Sequence, residues 1–178
     1  MSSSLVGSEM CIRDRYWKPS VKNQSLGFLS NGLIDRAITR DIDWGVEVPL
    51  KNYEKKRIYV WFEAVIGYLS ASIEWAKSEK NISNNKNIWK EWWQNPDSKH
   101  FYFQGKDNIP FHTIILPSIL MGSGEYNLPY DVVANEYLNF SGKQFSKSKN
   151  WAVWVSDFLK EYDSEAVSYT HLRAHETR

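Results

Sequence analysis

The fold is decided by HFYFQGKDNIPFHTIILPSILM, residues 100–121, and by DVVA ten residues later at Asp131–Ala134. HFYFQ, at His100–Gln104, is an apolar and aromatic run of the length of one strand, and DVVA is a second strand. The apolar run Phe111–Met121 between them predicts a helix in which Pro117 introduces a kink or an early break. Strand, helix and strand in this order predict two parallel strands joined by a helical crossover.

The preceding part of the chain repeats the pattern. RIYVWF, at Arg57–Phe62, predicts a buried strand of a parallel sheet, and Ala64–Lys80 has the apolar spacing of a helix. The predicted class is therefore α/β, with a parallel sheet and flanking helices. The remaining expectations are a mixed loop and short helix at Leu26–Ile42, a helix at Asn87–Gln94, a hairpin continuing at Glu136–Phe140 and a helix at Val155–Tyr162.

Both ends of the chain have a common origin at the DNA level. One DNA sequence encodes Leu5–Arg15 on one strand and Val167–Glu176 on the other. It resembles a sequencing adaptor, which we favour over a native strand and a native His-bearing tail. We therefore expect residues 1–15 and 167–178 to be adaptor-derived and non-native, and we leave them out of the fold argument.

Composition limits the classes of function. The formal net charge is +1, and basic and acidic residues are equal in number between residues 16 and 166, which argues against a broad nucleic-acid-binding face. The single cysteine, Cys11, lies in the excluded end, so we expect neither a disulfide framework nor a Cys-based zinc site. No apolar run is long enough to cross a membrane. A reducing, cytoplasmic location is compatible with these features.

Tryptophan is unusually frequent, and all nine Trp lie between residues 16 and 166. Core or domain-interface packing is the favoured explanation. The alternative is a surface that stacks sugars or bases, as in a Trp-rich, non-enzymatic carbohydrate-binding module. That alternative predicts antiparallel strands and exposed aromatic side chains, whereas the helical stripe at Ala64–Lys80 argues against it.

A ligand site is expected at one edge of the sheet. In open α/β sheets, ligands bind beyond the carboxyl ends of the strands. The three predicted strands lead into Trp61–Tyr68, into Gly105-Lys106-Asp107 and into Asn135. Gly105 at a strand end allows close approach of a ligand to the backbone, and Asp107 can accept hydrogen bonds from ribose hydroxyls. The simpler alternatives are a helix N-cap for Asp107 and a satisfied core histidine for His112.

Four segments carry a family resemblance. In order, RDIDWGVEVP (Arg40–Pro49), YVWFEAVIGYLS (Tyr59–Ser70), GKDNIPFH (Gly105–His112) and GKQFSKSKN (Gly142–Asn150) resemble the second half of the catalytic domain of methionyl-tRNA synthetases. These are class I aminoacyl-tRNA synthetases, so the resemblance implies an incomplete Rossmann-like fold. It also implies methionine-tRNA ligase activity: activation of methionine with ATP and Mg²⁺, followed by transfer to the acceptor end of tRNA.

The resemblance assigns roles residue by residue. It implies that ATP is bound by Gly105, Asp107, Glu47 and Phe145, and that methionine is bound by Trp61, Ala64, Ile66, Tyr68, His112 and Arg40. An aromatic pocket suits a soft, polarizable thioether. The family usually has Asp and Pro where this chain has Glu63 and Val65. For Arg40 and Glu47, a surface salt bridge is an equally acceptable explanation.

The segment FSKS resembles the Lys-Met-Ser-Lys-Ser loop of the class. The implied catalytic residues are Lys147, Lys143, Ser146 and Ser148. A positioned ammonium stabilises the charge that builds up on departing pyrophosphate. Lys147 matches the second Lys of the signature, whereas Gln144 holds the position of the first and Lys143 lies one residue earlier.

Parts of the synthetase are missing. There is no His-Ile-Gly-His-like motif, no Cys knuckle and no anticodon-binding domain. We expect residues 16–154 to be the C-terminal half of the catalytic domain, residues 155–166 to begin the helical segment that follows it, and the isolated chain to be inactive and poorly soluble. A class I synthetase of the leucine, isoleucine or valine type is the main alternative.

Overall fold

The computed structural model describes residues 17–137 and 139–165. The expectations for residues 1–15 and 167–178 lie outside the described residues. The chain divides into two compact units, with the boundary between Glu136 and Tyr137.

The first unit is built from helices and short strands around one parallel strand pair. Its helices are α1 (Pro19–Ser30), α2 (Val60–Glu63), α3 (Gly67–Lys77), α4 (Trp89–Trp93) and α5 (Leu116–Ser123). Its strands are β1 (Thr39–Arg40), β2 (Arg57–Ile58), β3 (His100–Gly105) and β4 (Pro129–Asn135). Two 3₁₀ turns, Ala64–Ile66 and Lys106–Asn108, and one π-helical turn, Phe111–Ile115, complete it.

The strand pair confirms the predicted βαβ unit. Strands β3 and β4 are parallel, with Tyr102 opposite Val132 and Gly105 opposite Asn135. Their carboxyl ends therefore lie side by side. Just beyond this edge, the Lys106 ammonium lies 2.6 Å from the Glu136 carboxylate. The described part of the unit holds no third parallel strand, so the sheet is small. The α/β class is as predicted.

Helices cover the face of β3 and β4 that carries Tyr102 and Val132. One buried cluster lies on the α1 side and consists of Trp17, Val21, Leu29, Ile109, Ile114 and Val132. A second cluster consists of Val65, Trp93, Tyr102, Leu116 and Leu120. The helical crossover between the strands contributes to both clusters, so it anchors the two sides of the unit to the same sheet face.

The prediction that Arg57–Phe62 is a buried strand of a parallel sheet is wrong. The strand β2 has two residues and pairs antiparallel with β1, and the chain turns into helix α2 after Tyr59. A short apolar run fits a buried strand and a buried helix equally well by periodicity alone. Here the helix-forming sequence that follows Phe62 extends backwards, and α2, a 3₁₀ turn and α3 form a nearly continuous helical segment up to Lys77.

The crossover helix is not broken at Pro117, but its helix type changes just before that residue. The crossover begins as a π-helical turn and becomes the α-helix α5, in which Pro117 occupies the first turn. Proline is tolerated there because the first N–H groups of an α-helix have no intrahelical acceptor. Gly124, in the left-handed conformation with φ of 79°, ends the helix, as the Gly122–Gly124 stretch suggests.

Helix α1 was not predicted. It begins with Pro19 at its first position and buries Val21, Ser25 and Leu29, which are spaced by four residues. Both signals are present in the sequence: proline is favoured at a helix start, and residues four apart share one helix face. No described helix is long and apolar enough to span a membrane.

The described part of the second unit is a hairpin followed by a loop and a helix. Strands β5 (Asn139–Phe140) and β6 (Lys143–Gln144) pair antiparallel. A hairpin is therefore present as predicted, but it begins at Asn139 rather than at Glu136 and forms a sheet of its own. The turn between them contains Ser141 and Gly142, both with positive φ, as the twist of a two-residue hairpin turn requires. Helix α6 (Val155–Glu161) matches the predicted last helix.

Ile109 tests the contribution of the crossover to the α1-side cluster. It is 2% exposed and packs in the α1-side cluster. We expect Ile109→Ala to lower the free energy of unfolding by about 2–5 kcal/mol, because it leaves a cavity in a packed core. The same substitution at Ile82, which is 93% exposed, should change it by less than about 0.5 kcal/mol. Equal effects in urea denaturation would contradict the packing described here.

Candidate active site

A buried histidine and a tyrosine are hydrogen-bonded in the first unit. His112 lies on the π-helical turn, and its Nδ1 is 3.0 Å from the carbonyl oxygen of Asn108. A carbonyl only accepts, so Nδ1 carries the proton. Nε2 of the neutral ring is then an acceptor, and the Tyr68 hydroxyl donates to it across 3.0 Å. One backbone carbonyl thereby fixes the tautomer of His112 and the direction of the Tyr68 hydroxyl.

The environment keeps this imidazole neutral. Burial lowers the pKa of His112 below its usual value, and the hydrogen bond to the Asn108 carbonyl opposes that shift in part. Desolvation disfavours the charged form of a histidine. At neutral pH the site therefore presents an uncharged ring to whatever binds there, which suits an apolar side chain.

Aromatic rings surround the pair. Tyr102 lies edge-on to Tyr68, with ring centroids 5.4 Å apart, and 5.3 Å from His112. Trp61 packs on Phe111 at 5.7 Å. Trp61 and Tyr68 remain 49% and 47% exposed. The predicted methionine-binding residues on the α2–α3 segment therefore form an open, largely aromatic surface.

The other residues predicted on this segment are also accessible. Ala64 and Ile66 are exposed, in the 3₁₀ turn between α2 and α3. Buried Val65 between them packs in the second cluster. The departure from the family pattern at Val65 therefore serves the core, and its neighbours Ala64 and Ile66 are the ones that face outward.

Gly105 and Asp107 lie at the carboxyl end of β3. Gly105 has an ordinary extended conformation, and a Cβ added to it would meet no atom within 4 Å. The fold by itself therefore does not require glycine there, and the space beside its backbone is open. Asp107 is exposed and is the second residue of the following 3₁₀ turn, whose N-cap is Gly105. Asp107 is thus not the N-cap residue of this 3₁₀ turn.

Arg40 lies in strand β1, and Glu47 forms an isolated bridge with Arg57 of β2. The Arg40 guanidinium stacks 3.8 Å from the centre of the Tyr59 ring and donates to the carbonyls of Ala37 and Thr39. The Glu47 carboxylate lies 3.8 Å from Arg57. Both side chains are therefore held by local contacts. The salt bridge that was the alternative explanation forms between Glu47 and Arg57.

The predicted loop forms a cavity in the second unit. The cavity has a volume of about 710 Å³ and is lined by Lys143, Gln144, Phe145, Ser146, Lys149 and Trp151. Backbone hydrogen bonds between Ser146 and Trp151 close the turn that presents Lys147 and Ser148 to solvent. The Ser146 and Ser148 hydroxyls are 3.3 Å apart, and the Lys143 ammonium lies 5.5 Å from the Trp151 ring. The predicted loop residues thus form one basic, hydroxyl-rich feature.

The comparisons with known proteins point to one family. Residues 8–178 match the family model described as tRNA synthetases class I (M). The chain belongs to the class I tRNA synthetases. Among this family's members, a methionine–tRNA ligase of Dehalococcoides mccartyi strain 195 is 56% identical over 154 residues, which cover 86% of this chain and 27% of the relative. One from Thermoplasma acidophilum is 51% identical, with the same coverage.

A solved synthetase has the same fold. The methionyl-tRNA synthetase of Mycobacterium tuberculosis in complex with methionyl-adenylate is 28% identical, with a TM-score of 0.68 over 93% of this chain and 30% of that one. The resemblance to methionyl-tRNA synthetases and the Rossmann-like fold class are confirmed. The chain spans under a third of the length of these class I synthetases.

The structure adds residues to the site that the sequence did not identify. Tyr102, Asn108 and Phe111 contact the predicted residues of this class I synthetase chain. Phe111 and Asn108 are part of the quoted GKDNIPFH motif, but the role of a backbone carbonyl cannot be read from a residue type. Tyr102 lies inside a strand, and the alternation of β3 alone leaves open which neighbours its ring meets. The described residues contain no cluster of three or more His, Cys, Asp or Glu that could hold a metal ion.

His112 gives a direct test of the hydrogen-bonded pair. Its imidazole should titrate below about 6.5, the usual value for histidine, when followed by NMR across pH 4–8. Tyr68→Phe removes the hydroxyl that stabilises the neutral ring, so we expect the pKa of His112 to rise in that variant.

The sign of the linked stability change follows. Because the pKa of His112 is lowered in the folded chain, the unfolded chain binds its proton first as pH falls below about 6.5. Its contribution to stability is complete above that pH and decreases as pH falls towards the folded value. A His112 that titrates at or above 6.5 would contradict the burial described for it.

Proposed function

We propose that this chain supplies the methionine-binding surface and the catalytic loop of a methionine–tRNA ligase. The supporting observation is the Tyr68–His112 pair, in which a buried imidazole is hydrogen-bonded to a half-exposed tyrosine at an open aromatic surface. The complete enzyme would activate methionine with ATP to form methionyl-adenylate, release pyrophosphate and esterify the acceptor end of tRNA with the amino acid. The chain covers 27% of the length of one such ligase, so the whole reaction needs polypeptide that it does not contain.

The proposed methionine pocket consists of Trp61, Ala64, Ile66, Tyr68, His112 and Arg40. A thioether packs favourably against aromatic edges, and Trp61 and Tyr68 offer such edges at a half-exposed surface. The neutral His112 presents no charge to an apolar side chain. Arg40 is assigned here from the resemblance. The guanidinium of Arg40 stacks on the Tyr59 ring. To reach the carboxylate of a bound amino acid, it would have to break its local hydrogen bonds.

The proposed nucleotide contacts are Gly105, Asp107, Glu47 and Phe145. The open space beside Gly105 supports close approach of an adenosine to the end of β3. The Asp107 carboxylate, exposed on the next turn, has the chemistry to accept two hydrogen bonds from vicinal ribose hydroxyls. Glu47, at the site rim, and Phe145, in the loop, are assigned by resemblance.

The proposed catalytic groups are in the loop. The methionine carboxylate attacks the α-phosphorus, the bond to the bridging oxygen breaks, and pyrophosphate leaves with the bonding electrons. Lys147, with Lys143 in place of the missing first Lys, would stabilise that developing charge, and Ser146 and Ser148 would donate hydroxyl hydrogen bonds. No protein nucleophile is required, so catalysis consists of positioning and charge stabilisation.

The Mg²⁺ that accompanies ATP would neutralise phosphate charge. The described residues form no cluster of metal ligands, which fits an ion held chiefly by the phosphates and water. We assign no zinc site to residues 16–166, whose sequence contains no cysteine. The proposed partners are methionine, ATP, the tRNA acceptor end, and the absent N-terminal half and anticodon-binding domain. The proposed location is cytoplasmic.

The domain limits are also proposals. We place the catalytic half-domain at residues 16–154 and the start of the helical segment that leads to the anticodon-binding domain at residues 155–166. We interpret residues 1–15 and 167–178 as adaptor-derived, because a single DNA sequence read on opposite strands accounts for both.

The alternatives have less support. A leucine, isoleucine or valine enzyme would share the fold, but the relatives at 51–56% identity are methionine–tRNA ligases. A Trp-rich carbohydrate-binding module predicts antiparallel strands, whereas the two longest strands, β3 and β4, are parallel. Trp17 and Trp93 are buried, but Trp44, Trp61, Trp75, Trp92 and Trp154 are exposed, so the argument against the module is the parallel pair and not the burial of Trp.

Binding of a non-hydrolysable methionyl-adenylate analogue tests this proposal. We expect the 178-residue chain to bind it by calorimetry in preference to the leucyl and isoleucyl analogues. Asp107→Ala should weaken binding about tenfold or more, because a hydrogen bond to a charged group contributes roughly 1.5–3 kcal/mol. Asp97→Ala is the matched control, since Asp97 is exposed and precedes β3, at its other end. Equal binding of all three analogues would count against a methionine enzyme.

The loop assignment needs the complete enzyme. A chimera that joins residues 16–166 to the remaining polypeptide of a methionine–tRNA ligase would be assayed by pyrophosphate exchange. Lys147→Ala should lower kcat about 10²–10³-fold, as removal of a transition-state donor does. Lys160→Ala, which affects an exposed pair with Asp157 on α6, should leave it unchanged. A Lys147→Ala enzyme at full rate would refute the assignment, and Lys143→Ala would show whether Lys143 replaces the first Lys.

A further inference from the structure

Tyr102 contacts both members of the Tyr68–His112 pair. Its ring centroid is 5.4 Å from that of Tyr68 and 5.3 Å from that of His112, and the Tyr68 and His112 rings are 5.7 Å apart. The three rings therefore form a closed triangle. Tyr102 is only 8% exposed, whereas Tyr68 is about half exposed.

The three rings are held by elements of different rigidity. Tyr102 is in the middle of β3, and its ladder partner Val132 is completely buried. Tyr68 lies in the first turn of α3, and His112 lies on a π-helical turn. Neither of those turns has a sheet ladder of its own. The ring that is fixed by the sheet is thus the one against which the other two pack.

We propose that Tyr102 is a positioning residue for the amino-acid site: its ring holds Tyr68 and His112 at hydrogen-bonding distance and excludes water from the imidazole. The ligand named in this inference rests on the proposed function, whereas the contacts among the three rings do not. The role belongs to the ring rather than to the hydroxyl, because within the described residues the Tyr102 hydroxyl makes no hydrogen bond to the pair.

A side chain in the position of Tyr102 acts by filling the space between β3, Tyr68 and His112. Burial raises the pKa of Tyr102 and keeps its phenol neutral, and nearby Tyr68 adds to that shift. Removing the ring would leave space between β3, Tyr68 and His112. Water entering that space would hydrate the imidazole and compete for the Tyr68 hydroxyl.

The test compares Tyr102→Phe, which keeps the ring, with Tyr102→Leu, which removes it, in the 178-residue chain. Phe103→Leu is the matched control, because Phe103 is the next residue of β3, is 75% exposed and points to the opposite sheet face. Two quantities are measured: the pKa of His112 by NMR in the ligand-free chain, and the affinity for the methionyl-adenylate analogue.

We expect Tyr102→Leu to raise the pKa of His112 and to weaken binding of the analogue about tenfold, while Tyr102→Phe and Phe103→Leu leave both unchanged. An unchanged pKa of His112 in Tyr102→Leu overturns the proposal. Should that variant fail to fold, nuclear Overhauser contacts between the Tyr102 and His112 rings in the unmodified chain decide the matter, and their absence overturns it. If the unmodified chain binds no analogue, the proposed function fails, whereas the pKa comparison still tests Tyr102.

Discussion

The parallel pairing of β3 and β4 is the constraint on which the rest of the first unit depends. The register that places Tyr102 opposite Val132 also places Gly105 opposite Asn135, so the two strands end together. The contacts that the crossover makes at the candidate site follow from this shared strand end. The chain leaves β3 at Gly105, makes one 3₁₀ turn through Asp107 and enters the π-helical turn that carries His112. The ion pair between Lys106 and Glu136 then joins the segments that leave the two strands.

The wider turn of the π-helix matters for the chemistry. Phe111, His112 and Ile115 lie on this turn and contribute respectively to the Trp61 contact, to the hydrogen bond with Tyr68 and to the second cluster. Short π-helical turns are uncommon and occur frequently at functional sites. Here the turn ends two residues before Pro117, which lies in the first turn of α5 and has no N–H to donate. The sequence thus places an irregular helix and a polar side chain within the same few residues.

How much the sequence could predict differs between the elements. The strands β3 and β4 were predictable because each is a short apolar run bounded by turn residues. The crossover between them was predictable because its apolar side chains can be buried only against the strand pair. RIYVWF was predicted wrongly because its periodicity fits a strand and a helix alike, and the helix that follows it decided the outcome. In the site, the residue pattern suggested Asp107, whereas Tyr68 and His112 came from the family resemblance. Tyr102 and the Asn108 carbonyl escaped, because a contact made by a ring face or by the backbone leaves no mark on the residue pattern.

One face of the β3–β4 pair is uncovered in the described residues. Helices cover the face that carries Tyr102, but Phe101 and Phe103 on the opposite face are 51% and 75% exposed. Parallel sheets are normally covered on both faces, because their strands are apolar on both. The chain covers 30% of the length of the solved Mycobacterium tuberculosis synthetase. Exposed phenylalanines on a paired strand favour association with any apolar surface, including a second copy of the strand. The hydrogen-bonded pair of Tyr68 and His112 therefore lies on the side of β3 that helices cover, whereas the face that carries Phe101 and Phe103 is uncovered in the described residues.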